Sequence, residues 1–152
     1  MPETETKETL LRFIEWTKIK IRIHTEKVGP YFHEGEIWWA SLGANVGYEE
    51  DGKNAQFERP VLVLRKFNDQ TFWAIPITSR VRDSFFHYKF EHGNKINALH
   101  LTQLRLLSSK RLLRKLGSFP KDKFAEVKQK ICDLIQNGPE NPQGVIEASE
   151  PN

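Results

Sequence analysis

The sequence predicts an α+β fold that is mainly β: a small antiparallel barrel with an N-terminal helix and C-terminal helices. Several short segments rich in β-branched and aromatic residues follow one another at hairpin spacing between residues 34 and 105. No helical segment separates them, which argues against a parallel sheet built from strand–helix–strand units. Helical periodicity occurs only towards the two ends of the chain. With 152 residues, the chain is long enough for one domain with its own core.

The first element is a predicted amphipathic helix over residues 4–24. Thr4 is a candidate N-cap, and acidic residues follow in the first turn, where they favour a helix start. The apolar face has helical spacing and consists of Leu10, Phe13, Ile14, Thr17 and Ile21. The stretch 19–23 also alternates with period two, so an extended last turn is the alternative. Gly29-Pro30 ends whichever of the two forms.

A strand and a long polar loop come next. The strand covers Glu36–Leu42 and ends at Gly43. Residues 43–58 contain three glycines, two asparagines and a Glu-Glu-Asp run, as expected for a loop. A loop of this length in a compact domain is typically functional or mobile, so we expect it to take part in ligand recognition.

Two predicted hairpins follow the loop. The first joins a near-continuous apolar strand, Pro60–Phe67, to Thr71–Thr78 through the turn Asn68-Asp69-Gln70. The second joins Ser84–Phe90 to Lys95–Leu101 through a turn that contains Gly93. Together with the preceding strand, these segments supply the predicted barrel.

The C-terminal part is predicted to be helical. Ser108-Ser109 is a candidate cap for a short basic helix over Lys110–Leu116, which Gly117 ends. A longer helix begins at Pro120 and continues through Ile135. Its apolar face is formed by Phe124, Val127, Ile131 and Ile135. The chain then divides into a helical extension (1–33), the barrel domain with its C-terminal helix (34–137), and an acidic, disordered tail (138–152).

The charge of the chain is unevenly distributed. The formal net charge is only +3. Residues 59–131 carry sixteen bases and five acids, whereas residues 34–58 carry one base and six acids. A basic body suggests a polyanionic partner, nucleic acid first, and a merely solvated basic surface is the alternative.

Several classes of protein and site are disfavoured. No apolar run is long enough to span a bilayer, and the acidic N-terminus lacks the features of a secretory signal, so we expect a cytoplasmic protein without membrane contact. The single Cys132 allows no internal disulfide, and the five histidines have no metal-ligand spacing, so no metal or cofactor is expected. Phosphate-binding loops, dinucleotide fingerprints and nucleophile elbows are absent from the sequence.

The remaining motifs follow one another in a fixed order: Gly35-Glu36-Ile37-Trp38, a Gly-rich acidic loop, Arg59-Pro60 at the start of an apolar strand, and Pro76-Ile77-Thr78-Ser79 at a strand end. This order resembles that of the MazF/PemK family of toxins from type II toxin–antitoxin systems. Each motif alone is weak, but their order and spacing make the match specific. The resemblance covers roughly residues 35–134.

The resemblance implies an SH3-like barrel and a homodimer. It implies a metal-independent endoribonuclease that cuts single-stranded RNA by 2′-hydroxyl attack, and a cognate antitoxin whose acidic, disordered segment covers the RNA groove. A non-catalytic binding module of the same fold, or a gyrase-type poison, is the alternative.

The candidate catalytic residues are Arg59, Thr78, Ser79 and His100. In the family, the Arg and Thr that match Arg59 and Thr78 form the recurrent active-site pair. Such chemistry needs a cation and donors for the phosphorane, which Arg59 and the two hydroxyls can provide. In the alternative reading, Arg59 pairs with Glu58 or another surface acid and Thr78 only fills a strand position.

One departure from the family concerns the proton acceptor. Some members have an Arg and an Asp just before the Gln that matches Gln103, where this chain has His100 and Thr102. A carboxylate base from this strand is therefore missing. His100 could act as base or acid because imidazole titrates near neutral pH, and an ordinary surface histidine is the alternative.

Candidate RNA-binding residues lie in the polar loop and along the basic body. We expect loop side chains to select bases and arginines to contact phosphates. The set comprises Asn45, Tyr48, Gln56, Arg80, Arg82, Gln103 and Arg105.

Overall fold

The computed structural model describes residues 3–26 and 28–138, so the predicted tail lies outside the described residues except for Gly138. There are two α-helices, α1 (Glu3–Thr25) and α2 (Lys121–Gln136), in this part of the chain. The strands are β1 (Glu36–Ser41), β2 (Glu58–Lys66), β3 (Thr71–Thr78), β4 (His87–His92), β5 (Lys95–His100), β6 (Arg105–Ser108) and β7 (Leu112–Ser118). Short 3-10 turns, Leu101–Gln103 and Ser109–Arg111, flank β6.

The strands form one curled antiparallel sheet, a half-barrel in the order β4-β5-β3-β2-β1-β7. One edge of β3 is shared: its first half pairs with β6, and its last two residues pair with β5. The far ends of the sheet approach each other, since a Cβ on Gly117 of β7 would lie 2.7 Å from the ring of His92 on β4. The predicted mainly-β antiparallel barrel with terminal helices is therefore confirmed.

The apolar side chains form two main clusters on the sheet. One contains Ile37, Ile75 and Leu99 and is covered by Val127 and Ile131 of α2. The predicted α2 face is correct at these two positions and at Phe124, which packs on the same cluster, but Ile135 is 78% exposed, and Leu134 packs there instead. The second cluster consists of Phe32, Trp38, Ala40, Leu42, Val61, Val63, Phe72, Ala74, Leu107 and Leu112. Burial on both sides explains why β2 reads as a near-continuous apolar run.

The predicted short helix over Lys110–Leu116 is wrong. A 3-10 turn begins the segment, and Leu112–Ser118 then forms β7, which pairs antiparallel with β1. The basic residues of this segment find acidic partners in the strand conformation. Arg114 binds both carboxylate oxygens of Glu58 at 2.8 and 2.9 Å, and Lys115 lies 2.7 Å from Glu36. Tertiary pairing thus overrides a local helical pattern.

The ion pair between Glu36 and Lys115 joins β1 to β7. Burial opposes the ionisation of its carboxyl group, but hydrogen bonds donated by Lys115, the His33 backbone and Trp38 outweigh that effect. Together they lower the pKa of Glu36 to about 2. The carboxylate is therefore ionised across the neutral range and available to Lys115.

The second hairpin is shorter than predicted at its beginning. Its first strand starts at His87 rather than Ser84. The Ser84 hydroxyl accepts a hydrogen bond from the Phe86 amide, and the Ser84 carbonyl accepts one from the His87 amide. These local bonds form a turn that competes with strand pairing.

Helix α1 is confirmed, and it continues as a helix to Thr25, so its last turn is not extended. The apolar face identified in the sequence is not the one that packs on the domain, because Leu10, Ile14 and Ile21 are 58%, 41% and 60% exposed. Trp16 is the buried residue of α1 instead, and it forms a third small cluster with Ala44 and Phe57. The helix therefore packs on the polar loop after β1 through a face centred on Trp16.

We expect Gly43→Ala to weaken the fold more than Gly47→Ala does. Both glycines have positive φ, +97° and +58°, so alanine costs about 1–2 kcal/mol at either site. At Gly43 the new Cβ would also lie 2.2 Å from the Trp16 ring, whereas at Gly47 it meets nothing within 4 Å. Overpacking adds roughly 1–3 kcal/mol.

Urea unfolding followed by Trp fluorescence measures both free energies of unfolding. Equal losses in the two variants would contradict the packing of α1 on Gly43.

Candidate functional site

Arg59 is buried at the start of β2, with its side chain only 7% exposed. All three guanidinium nitrogens are engaged. Nε donates to the Asp51 carbonyl at 2.7 Å, Nη2 lies 3.0 Å from Glu50 Oε2, and Nη1 donates to the Ile77 carbonyl at 3.5 Å. Contact between Arg59 and an external phosphate therefore requires Glu50 to move away.

Glu50 lies between two predicted site residues. One carboxylate oxygen is 3.0 Å from Arg59, and the other is 3.3 Å from His100 Nδ1. Burial opposes ionisation, but the hydrogen bond to His100 and the charge of Arg59 outweigh it and hold the pKa of Glu50 below its usual value. Nothing in the sequence singles out Glu50, because its place in the site depends on how the loop folds back.

His100 stacks on a second histidine, His87. The two residues are directly opposite in the β4–β5 register, and their ring centroids are 4.5 Å apart at 24° between planes. Nδ1 of His87 is buried without a hydrogen-bond partner among the described residues. Burial, and then the charges of His100 and Arg82, lower the pKa of His87. The uncharged form of His87 is therefore favoured at neutral pH.

Thr78 is the last residue of β3, and the carbonyl that Arg59 contacts belongs to the preceding Ile77. Its hydroxyl accepts a hydrogen bond from the Arg80 amide at 3.1 Å, which turns the chain just after the strand. Ser79 and Arg80 are exposed in that turn. The ends of β2, β3 and β5 thus bring Arg59, Thr78 and His100 to one end of the sheet.

Gln103 fastens the polar loop over this end of the sheet. Its side-chain oxygen accepts from the Glu50 amide at 3.0 Å, and its nitrogen donates to the Tyr48 carbonyl at 2.9 Å. Asn45 holds the same segment from within, by donating to the Glu50 carbonyl at 2.8 Å. Both residues hold the loop backbone, whereas Tyr48 is 67% exposed.

The other two predicted RNA contacts lie away from Arg59 and His100. The Gln56 side chain accepts a hydrogen bond from Arg22 of α1 at 3.2 Å. Arg105 lies opposite Ala74 in the β3–β6 register. Burial, together with the charge of Arg105, lowers the pKa of Arg111. Neither residue is in contact with the cluster.

Helix α1 braces the polar loop from outside. Arg12 donates to Asp51 Oδ2 at 3.0 Å and to the Gly52 carbonyl at 3.1 Å. The Asp51 carbonyl is in turn bound by Arg59, so one loop residue links the helix to the site. Trp16 adds an aromatic contact to Phe57, with ring centroids 5.6 Å apart.

The described residues offer neither a metal-binding group nor a membrane-spanning helix. They contain no group of three or more histidine, cysteine, aspartate or glutamate side chains that could hold a metal ion. None of the helices within ranges 3–26 and 28–138 is long and apolar enough to cross a membrane.

Comparisons with known proteins identify relatives of this arrangement. Residues 33–135 match the family described as PemK-like, MazF-like toxin of type II toxin-antitoxin systems. The structure is similar to MazF from Deinococcus radiodurans, at 26% sequence identity and a TM-score of 0.57, with 72% of this chain and 98% of that chain covered. No curated protein sequence matches significantly.

Two further solved structures have the same fold. A MazE–MazF complex from Deinococcus radiodurans is 25% identical, with a TM-score of 0.51 and coverage of 72% of this chain and 98% of that one. The Mycobacterium tuberculosis toxin MazF-mt6 is 17% identical, with a TM-score of 0.51 and coverage of 66% and 95%. Because MazF-mt6 is only 17% identical, its similarity to this chain concerns the fold alone.

We expect Arg12→Ala to loosen the polar loop without unfolding the barrel. The change removes a partly exposed ion pair and a hydrogen bond, together worth about 1 kcal/mol, which corresponds to roughly fivefold faster local opening. Hydrogen exchange of the amides in residues 45–52 measures this opening.

Lys18→Ala is the matched control, because Lys18 pairs only with Glu15 within α1. Unchanged exchange in Arg12→Ala, or equal acceleration in both variants, would contradict the bracing role of α1.

Proposed function

This chain belongs to the PemK/MazF family of toxins of type II toxin–antitoxin systems, and from that premise we propose that it is a metal-independent endoribonuclease acting on single-stranded RNA. The observation that carries the proposal is the convergence of Arg59, Glu50, His100 and His87 where the strands end under the polar loop. A buried cation with an exchangeable anionic partner, next to two imidazoles, provides both charge stabilisation and proton transfer.

Arg59 is the proposed binding group for the scissile phosphate. In the structure Glu50 holds the position of an anion between Arg59 and His100. The RNA phosphate would displace this carboxylate and take over its contact with the guanidinium, which can bind phosphate oxygens in a bidentate manner. The hydroxyls of Thr78 and Ser79 would donate to the same phosphate.

The two histidines supply the proposed proton transfers. The 2′-oxygen forms a bond to phosphorus while its proton passes to one imidazole. The bond from phosphorus to the 5′-oxygen breaks, and the other imidazole donates a proton to that oxygen. A 2′,3′-cyclic phosphate and a 5′-hydroxyl result. The lowered pKa of His87 favours it as the acceptor, which leaves the donor role to His100.

The exposed residues around the cluster would hold the RNA. Tyr48 is available for base stacking, while Arg80 and Arg82 follow the strand that ends at Thr78. Because Asn45 and Gln103 are occupied in fastening the loop, we assign them a positioning role. Gln56 and Arg105 remain predictions without a contact to the cluster.

The proposed partners follow from the family. We propose a homodimer and a cognate antitoxin, in line with the MazE–MazF complexes among the similar structures. An acidic, disordered antitoxin segment would compete with RNA for the same basic surface, because both ligands are polyanionic.

We expect the purified protein to cleave single-stranded RNA in EDTA and to leave 2′,3′-cyclic phosphate ends. Arg59→Ala should lower kcat by roughly 10²–10³, since it removes the main stabiliser of the phosphorane charge. The matched control is Arg65→Ala on the same strand, whose exposed guanidinium contacts only Glu34. Gel analysis of the products and end-group chemistry measure both effects.

Arg59→Ala by itself leaves Glu50 buried without its cation, so the double variant Arg59→Ala/Glu50→Gln is assayed beside it, with thermal unfolding as the folding check. Loss of activity in EDTA would overturn the metal-independent mechanism, and full activity without Arg59 would overturn the site. RNA binding without cleavage by the wild-type protein would favour a non-catalytic binding module.

We expect the pH profile of kcat/KM to fall on the acid side below pH 6.5, because the pKa of His87 lies below the value of free histidine. His87→Asn should remove this acid limb and lower kcat by roughly 10²-fold with KM little changed. His92→Asn, on the same strand but outside the cluster, is the control. An acid limb that persists in His87→Asn would assign the proton acceptor to another group.

A further inference from the structure

Helix α1 carries two apolar faces, and the inner one packs against the domain. This face contains Arg12, Trp16, Ile19 and Ile23 at spacings of four, three and four residues. It contacts the polar loop through Phe57 and Asp51. These contacts account for the attachment of α1 to the domain.

The outer face, here called the outer stripe, consists of Leu10, Ile14, Thr17 and Ile21. At 100° per residue its centre lies about 130° around α1 from Trp16, and Ile21 at its C-terminal end borders the cavity that Trp16 and Arg111 also line. Its three aliphatic side chains are 58%, 41% and 60% exposed, and Phe13 beside it is 37% exposed. A row of large apolar side chains along one helix face marks an interaction surface rather than an ordinary solvated face.

We propose that the outer stripe is a self-association surface, on which α1 of a second copy of this chain packs in antiparallel orientation. The spacing of the stripe is that of a coiled-coil seam, so it fits another helix. Its pattern of four, three and four residues is the same when read from either end. A twofold axis midway between Ile14 and Thr17 therefore brings Leu10 of each copy against Ile21 of the other.

The charges of α1 favour this antiparallel pairing. Residues 3–9 carry the acids Glu3, Glu5 and Glu8 and one base, Lys7, whereas residues 18–24 carry the bases Lys18, Lys20 and Arg22 and no acid. An antiparallel pair places each acidic part beside a basic one and opposes the two helix dipoles. A parallel pair would bring like charges together, at a cost in free energy.

The surface lies outside the region shared with the family. The family match begins at residue 33, whereas α1 ends at Thr25. The outer stripe also faces away from the polar loop, so two helices can approach without displacing Asp51 or Phe57. The inference is therefore independent of the proposed nuclease activity.

A charge-swap experiment tests both the surface and its orientation. Leu10→Glu alone and Ile21→Lys alone should each weaken self-association of the full-length protein by roughly tenfold or more, because each places a charge in the seam. The double variant should regain association, since a carboxylate then faces an ammonium at both ends of the pair. Light scattering after size exclusion and sedimentation equilibrium measure the assembly.

The controls keep the result interpretable. Ile135→Glu changes an even more exposed aliphatic residue on α2 and should leave the assembly unchanged. Circular dichroism and thermal unfolding establish that every variant is folded, and RNA cleavage is recorded separately. If the barrel forms a separate dimer contact, the outer-stripe variants lose the association through α1 and retain the association through the barrel.

Each other outcome overturns the proposal. Wild-type association that is unaffected by Leu10→Glu would place the interface elsewhere. Failure of the double variant to recover would exclude the antiparallel register. A wild-type protein that does not self-associate at all would leave the stripe to a different partner.

Discussion

The buried guanidinium of Arg59 constrains the whole polar end of the sheet. A charged group removed from water needs an opposite charge and hydrogen bonds, or the fold loses several kcal/mol. Strand β3 supplies only one long hydrogen bond, from the Ile77 carbonyl, so the remaining partners must come from the loop after β1. That loop folds back and provides the Asp51 carbonyl and the Glu50 carboxylate.

The same constraint explains the uneven charge of the chain. Four of the six acidic residues between positions 34 and 58 form ion pairs with the basic part of the protein: Glu34 with Arg65, Glu36 with Lys115, Glu50 with Arg59, and Glu58 with Arg114. The acidic segment is therefore largely a structural complement of the basic body. The ion pair with Glu50 that stabilises the loop thus also occupies the guanidinium that we propose as the phosphate-binding group.

Much of the fold could be predicted because its signals are local. The apolar strand after Arg59 and the hairpins around Asn68 and Gly93 follow from side-chain type and turn chemistry. Strand β7 could not be predicted in this way, because its residues also suit a helix, and only pairing with β1 and the partners of Arg114 and Lys115 favour the strand. The outward-facing apolar stripe of α1 shows a similar limit, since helical periodicity does not show which of two faces meets the barrel.

The sequence by itself determined the first five strands along the chain, the family resemblance, and the positions of Arg59, Thr78 and His100 at strand ends. Those features depend on residue type and short-range spacing. Only the tertiary structure decided that Glu50 joins Arg59 to His100, that His87 stacks on His100, and that Gln103 and Arg12 hold the loop in place. Glu50 and Arg59 are nine positions apart and meet through a loop conformation that no local pattern encodes, and the other contacts join residues 13 to 55 positions apart.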